Sequence, residues 1–513
     1  MQEEGARKFP NGHTVFVTVA FALFLISLLP VWSLHLLPMQ DLPPHLFLSK
    51  LLQSNNDPGS LWSRYYDVQF TVRPYVVWYA FMEPLMRFFD VYTSSKILLS
   101  LYLFSTLLLV FYLYRNRKND TLPWAALFLF PLAFNQNYFM GFVNYFTFIP
   151  LQVYTLVKLH KDLSEKGDSS FLFGFITFVF FFFAHPFVFL TQVGLTLAIV
   201  YYNRDRVKNI FKPVLPLIPV AAVFAVWYLT VHGAPENRHD IVWTIGWPSL
   251  DYLVVYFLLF FTGMNFFRPD WISVGCWVLF FAGVFLSWKR SGGFPASFKW
   301  PVTMFLVVLA TYALIPRHFG YYAYFNTRLA PLACYFLFIA LSTIPFGRVT
   351  AGIATVAAVL LTIQSIMLQT QASVDIETIL PVLAKMKKNA AVLPLVFEGE
   401  ATGLDDKFFF QIHDNDASIY QLEVGGGVTP DLFPSSMLPA KYKEGVAVPK
   451  PLKLRYFIYS DYAPFYDYIL ARGTYQDPWD AKRIETDLLK NGKLVAVSGK
   501  WRLYETERAA RLR

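Results

Sequence analysis

The chain has 513 residues, of which 55% are hydrophobic, 19% aromatic and only 15% charged, with a mean hydropathy of +0.40. Those values exclude an ordinary soluble enzyme and predict a mainly α-helical protein that crosses a membrane many times. The formal charge of +9 lies wholly in the first 374 residues, because residues 375–513 carry equal numbers of basic and acidic side chains; basicity confined to the apolar part points to membrane topology and anionic lipid, not to nucleic acid.

Arg7 and Lys8 precede the first apolar run, Thr14 to Leu34, and no small-residue cleavage site follows it, so it reads as a retained signal anchor. Directly after it comes Met39-Gln-Asp-Leu-Pro-Pro-His45. Hydrocarbon cannot solvate a carboxylate, so Asp41 beside a membrane span is expected to face a cavity or the aqueous interface, where such groups commonly function. The two prolines fix φ and disfavour helix at Leu42 and Pro43. The chain should therefore leave the span extended and restart near Pro44 as a helix lying along the membrane surface to Gln53. The plainer reading makes Asp41 a helix cap and His45 an interfacial residue. Residues 35–92 are long for a connection and should carry structure, including an amphipathic helix over Val72 to Asp90 with Arg73, Glu83 and Arg87, broken at Pro84.

From Thr93 the apolar segments follow closely, and basic clusters set their orientation. Arg115 to Lys118, Lys158 to Lys166 and Arg204 to Lys212 read as cytoplasmic. Between them, Leu122 to Leu156 is a hairpin turning near Asn135-Gln-Asn137, and Phe171 to Tyr202 another turning at His185-Pro186. Val214 to His232 returns outward. Tyr252 to Phe267 either dips in and back or crosses, and crossing would invert everything after it; the charge rule favours the first, by which Trp271 to Trp288 ends inside at Lys289-Arg290. About eleven transmembrane helices result, with residues 1–374 as the membrane domain. Residues 375–513 then form a small α/β domain outside, with a helix over Ile376 to Lys388 and strands at Ala391 to Phe397, Leu454 to Tyr459 and Leu494 to Val497 in a mixed sheet. Gly425-Gly-Gly427 lacks the lysine of a phosphate loop and reads as a turn. Cys276 and Cys334, both in apolar segments, give neither a disulfide framework nor a thiolate metal site.

On this topology the outer face collects Asp41, His45, Arg73, Glu83, Asn135 to Asn144, His185, Asp251, Arg317, His318 and Arg328. A partly buried carboxylate there suits a general base toward a hydroxyl, and an arginine suits bidentate pairing with a lipid phosphate. Each residue also has a structural reading. His185 caps the hairpin turn; Asn144 bonds across helices; Arg328 snorkels at a span end; and the run Phe178 to Phe183 is lipid-facing bulk. No Cys/His metal spacing occurs.

An N-terminal span followed at once by an acidic residue on a structured outer loop, many further spans and a C-terminal globular domain resembles the C-type glycosyltransferase superfamily. Asp41-Leu-Pro-Pro-His45, Gly141-Phe-Val-Asn-Tyr145, Ala184-His185, Arg328-Leu-Ala-Pro331 and Trp501-Arg-Leu-Tyr504 are similar to segments of bacterial membrane proteins of that type. The resemblance covers nearly the whole chain. It implies transfer of a sugar from a polyprenyl-phosphate donor to a lipid or glycan acceptor, at the outer face of the bacterial inner membrane. Asp41 takes the catalytic role, Arg328 that of carrier-phosphate ligand, and His45 and His185 are supporting polar groups. Leu42 stands where many relatives have a second acidic residue, so no metal and no cofactor are expected. Two rivals fit the same composition: a transporter or lipid flippase, which predicts repeats and discontinuous helices, and a non-catalytic assembly protein using its C-terminal domain.

Overall fold

The first apolar run folds as α1, Gly12–Ser33. Phe16, Ala20, Leu23 and Ser27 on one face are buried, while Phe21, Leu25, Leu29 and Trp32 on the other are exposed. A stripe of large apolar side chains at helical spacing is the surface that a lipid-facing helix presents. These observations come from a computed structural model describing residues 12–54, 59–60, 62–68, 74–117, 121–232, 245–262, 270–319, 322–402, 404, 411–430, 440–443, 446, 449, 453–475 and 477–511.

After α1 the chain forms α2 (Leu42–Ser54), strand β1 (Tyr66–Val68), α3 (Val77–Leu85) and α4 (Val91–Arg115). Asp90 opens α4 by accepting from the Tyr92 and Thr93 amides at 2.9 and 3.0 Å, satisfying donors that a helix start leaves free. Pro84 ends α3 rather than dividing a longer helix. Residues 124–146 differ from the expected first leg of a hairpin. They form a 3₁₀ turn (Trp124–Phe128) and three short helices, α5 (Leu129–Ala133), α6 (Gln136–Phe139) and α7 (Val143–Phe146), almost wholly buried. Pro123, Pro131 and Gly141 supply the breaks, since proline removes a donor and Gly141 adopts φ +71°.

The chain continues as α8 (Ile149–Lys166), α9 (Phe171–Ala184), α10 (Pro186–Tyr202), α11 (Leu217–His232), strand β2 (Ile245–Gly246), α12 (Leu250–Thr262) and α13 (Trp271–Arg290). The expected turn at His185-Pro186 is present between α9 and α10. The phenylalanine run does not all face lipid: Phe178, Phe181 and Phe182 are buried, because α9 packs on α10 and α11. Then come α14 (Lys299–Leu314), strands β3 (His318–Phe319) and β4 (Tyr322–Ala323), the almost fully buried α15 (Leu329–Leu341) and α16 (Arg348–Glu377). Inside lipid, close approach and hydrogen bonds hold helices together more than apolar transfer does. Accordingly, α13 meets α16 where Gly283 faces the Thr350 methyl and Ser287 bonds Thr350 at 3.0 Å.

Among the described residues, five helical segments are long and apolar enough to cross a membrane: α1, α4, α13, Ala296–Leu314 and Arg348–Leu383. Four apolar helices are shorter, within Phe171–Ala184, Pro186–Tyr202, Leu217–Trp227 and Leu329–Leu341.

The C-terminal part opens with α17 (Leu380–Leu383), a single turn where a longer helix to Lys388 was expected. A four-stranded sheet follows in the order β5 (Val392–Val396), β7 (Tyr468–Arg472), β9 (Trp501–Glu505), β8 (Lys493–Ser498). It is mixed, β5 running parallel to β7 and the other pairs antiparallel. Leu454–Tyr456 is a 3₁₀ turn rather than a strand, and β7 and β9 are the strands that the sequence reading lacked. Short helices α18 (Ala417–Tyr420) and α19 (Tyr459–Tyr462), with α20 (Pro478–Asn491) and α21 (Glu507–Arg511), complete it. Gly425, Gly426 and Gly427 all adopt positive φ, as a turn there requires. Strand β6 (Ala440–Tyr442) pairs antiparallel with β1, so the first loop and the C-terminal region share a ribbon.

Candidate functional site

Asp41 immediately precedes α2, which starts at Leu42 and so includes Pro43, two residues earlier than the expected restart near Pro44. Backbone bonds hold it: Gln40 N–H donates to Phe139 O at 2.9 Å and Asp41 N–H to Met140 O at 3.2 Å. The buried turn 135–144 is thus the floor on which Asp41 rests. Gly141 makes that approach possible, since a Cβ there would lie 2.7 Å from the Asp41 amide nitrogen. Above the floor, Asn415 Nδ2 donates to Asp41 Oδ1 at 2.9 Å.

Burial pushes the Asp41 carboxyl up to about 7, although the Arg328 guanidinium pulls the other way; the Asp414 carboxylate adds to the rise, and the bond from Asn415 opposes it. Asp41 is therefore half-ionised near neutrality, as a group that takes a proton and returns it should be. One turn along α2, His45 is buried with Nδ1 2.6 Å from the Tyr79 hydroxyl of α3. Burial lowers its pKa to about 3, so His45 is a neutral hydrogen-bonding group and not a cation.

Arg328 ends the turn before α15. Its guanidinium lies 4.3 Å above the Phe142 ring and 5.7 Å from Tyr145, whose hydroxyl donates to the Arg328 carbonyl at 2.5 Å. His185 caps α10 by accepting from the Phe187 amide at Nδ1, 2.9 Å, which puts the ring proton of the neutral imidazole on Nε2. Nε2 in turn faces the Tyr75 hydroxyl at 2.8 Å and Arg328 Nη1 at 2.9 Å. The Tyr75 oxygen can accept that proton, but the arginine N–H then meets a second donor. Arg328 Nε is also buried without a partner. A guanidinium so held is poorly satisfied by protein and suits an anion.

Two buried amides complete the cluster. Asn144 lies beside the Tyr79 hydroxyl with neither amide atom in a well-formed hydrogen bond, and Asn326, two residues before Arg328, has both amide atoms unpartnered. Asn144 thus faces a side chain of a neighbouring helix, Tyr79 of α3, as the cross-helix reading expects. Arg328 does not snorkel, since aromatic rings and His185 enclose it.

The structure brings together Asp41, His45, Asn144, His185 and Arg328 from four chain regions. Glu83 is elsewhere: it pairs with Arg87 one turn along α3, at 2.6 Å, on the surface. Arg73 lies outside the described residues. Asp251 is at the exposed start of α12, and Arg317, followed by His318 on β3, stacks on Tyr252 at 4.4 Å; Tyr324 links Arg317 electrostatically to Asp41 and Asp414. Tyr75, Tyr79, Asn326, Asp414 and Asn415 were missed. The run His413-Asp-Asn-Asp416 was the available signal, being a dense polar stretch in a domain whose role was unassigned. Among the described residues, no group of three or more His, Cys, Asp or Glu side chains has metal-binding geometry.

No protein-family model matches the chain, and no curated protein or solved structure matches it.

Proposed function

We propose that the protein is a membrane glycosyltransferase that moves a sugar from a polyprenyl-phosphate donor to a hydroxyl acceptor. The observation that carries the reading is the pairing of Asp41, raised to about 7, with an under-satisfied Arg328 whose charge acts on it. In the reaction, the acceptor hydroxyl gives its proton to Asp41 while its oxygen bonds to the sugar C1. The C1–O bond to phosphate breaks, and the departing phosphate keeps the electron pair beside Arg328. Attack opposite the leaving group inverts C1. Asn144 and Asn326 are amides suited to sugar hydroxyls, and His45 with Tyr79 holds the floor of the site.

On this reading the membrane part crosses about eleven times, with the shorter helices as further spans. Asp41, Arg328 and the C-terminal domain then lie outside the bacterial inner membrane, and the basic ends of α4, α8 and α10 inside.

Asp41→Asn in the full-length protein, reconstituted with polyprenyl-phosphate sugars, is expected to lower turnover by about 10²–10⁴-fold, the usual contribution of a general base. Normal transfer by a folded, inserted Asp41→Asn protein overturns the proposal.

One observation favours a transporter instead. The broken helices α5, α6 and α7 are buried inside the helical body, as discontinuous helices of transporters are. Substrate flux into sealed liposomes without covalent transfer, abolished by the same variant, would select that reading.

A further inference from the structure

A cavity of about 720 Å³ lies at the end of the helical body opposite Asp41. The 25 residues of α4 separate the two ends by about 37 Å at 1.5 Å per residue. This end is where the three basic loops meet. Lys161 donates to Asn116 Oδ1, Asn203 Nδ2 lies 3.2 Å from His160 Nδ1, and Lys208 N–H donates to Gly167 O at 2.9 Å.

Arg115, Arg117, Lys161 and Arg206 line the cavity, against the carboxylates of Glu165 and Asp205. Arg115 and Arg206 have no ion-pair partner among the described residues, so the cations are not spent on one another's neighbours. One wall is flat: His160 stacks on Trp300 with ring centroids 4.2 Å apart and 16° between planes. The floor is apolar, from Val157 and Ile339. A net-basic mouth above an apolar floor, at the ends of membrane helices, matches an amphiphile with an anionic phosphate headgroup; basic pockets between such helices bind phospholipid headgroups.

We infer that this cavity is a binding site for a phosphate-bearing ligand, held by Arg115, Lys161 and Arg206. It is independent of the transferase reading, sharing no residue with the Asp41 cluster. The ligand's phosphate can belong to a lipid headgroup or to a soluble phosphate compound, and the two are separated by experiment.

Native mass spectrometry of the full-length protein in neutral detergent would be titrated with phosphatidylglycerol, phosphatidylcholine and inorganic pyrophosphate. Binding of phosphatidylglycerol in preference to phosphatidylcholine, weakened about 30-fold in Arg115→Gln/Arg206→Gln, assigns a lipid headgroup, given about fivefold per removed charge. Pyrophosphate binding with the same loss assigns a soluble phosphate. Retained affinity in Arg115→Lys/Arg206→Lys separates lost charge from lost fold. On the wild-type chain, raising NaCl from about 0.05 to about 0.5 M should weaken binding, because screening shortens the reach of exposed charge. Failure of both phosphate probes to bind, or equal binding by the glutamine variant, overturns the assignment.

Discussion

Asn415 Nδ2 donates to Asp41 Oδ1 at 2.9 Å, joining residues 374 positions apart in the chain. The bond makes the C-terminal region part of the site instead of an appendage to it. It also tunes the carboxyl, since a donor stabilises the ionised form and lowers the pKa.

Asn415→Ala should therefore raise Asp41 above its value of about 7. Only ionised Asp41 accepts a proton, so on the proposed mechanism transfer should be lost as pH falls through that pKa. The variant's pH–rate profile should shift alkaline by about one unit, the size expected for one hydrogen bond to a charged group. An unshifted profile means that the bond does not act on the reacting carboxylate.

Burial of Asp41 also opposes stability. Its folded pKa is raised above the unfolded value, so the folded state binds the extra proton and stability falls as pH rises from 3.8 toward about 7. Relative to wild type, Asp41→Asn should gain about 3 kcal/mol between pH ~5 and pH ~8, taking 1.36 kcal/mol per unit over about two units. Thermal unfolding of both proteins across that range reads the difference; a constant gap contradicts the buried-carboxyl account.

Gly141→Ala should cost about 1–3 kcal/mol and reduce activity, because φ +71° is strained for alanine and its Cβ would enter the Asp41 backbone. Gly352→Ala on α16 is the control, since nothing lies within 4 Å of its added Cβ and alanine favours helix. Similar Tm losses in both variants would show that the close approach at Gly141 has no special cost.

Arg328→Lys keeps the charge and loses the planar fork and much of the stacking on Phe142. The donor KM should rise about tenfold or more, with a smaller change in kcat if the phosphate is held equally in ground and transition states. An unchanged KM would remove Arg328 from donor binding.

A second buried cluster anchors the sheet to α16. His413 lies 2.6 Å from Asp416 and 2.9 Å from Asp375, and Arg472 pairs with Asp375 at 2.7 Å. Burial works against charge on His413, yet Asp416 and Asp375 raise its pKa above 6.5 while Arg472 opposes them. A raised folded value stabilises fully below pH 6.5 and is lost as pH rises through it. His413→Gln should abolish that alkaline loss, measured as the pH dependence of protease resistance of residues 411–511; an identical dependence would assign it to other groups.

The membrane character, the helices at α1, α4 and α13, the turn at His185 and the strands β5 and β8 were legible in the sequence. Each depends on local quantities: run length, charge placement, proline and strand periodicity. Asp41, His45, His185 and Arg328 were legible as candidates because polar groups beside apolar runs are costly and conspicuous. The broken helices of residues 124–146 were not, because an all-apolar stretch has the same pattern whether it is one helix or several buried pieces. Nor was the placement of Asn415 on Asp41, or of Glu83 away from it. Contacts between residues hundreds of positions apart depend on which faces pack together, and that is decided only when the buried interior closes.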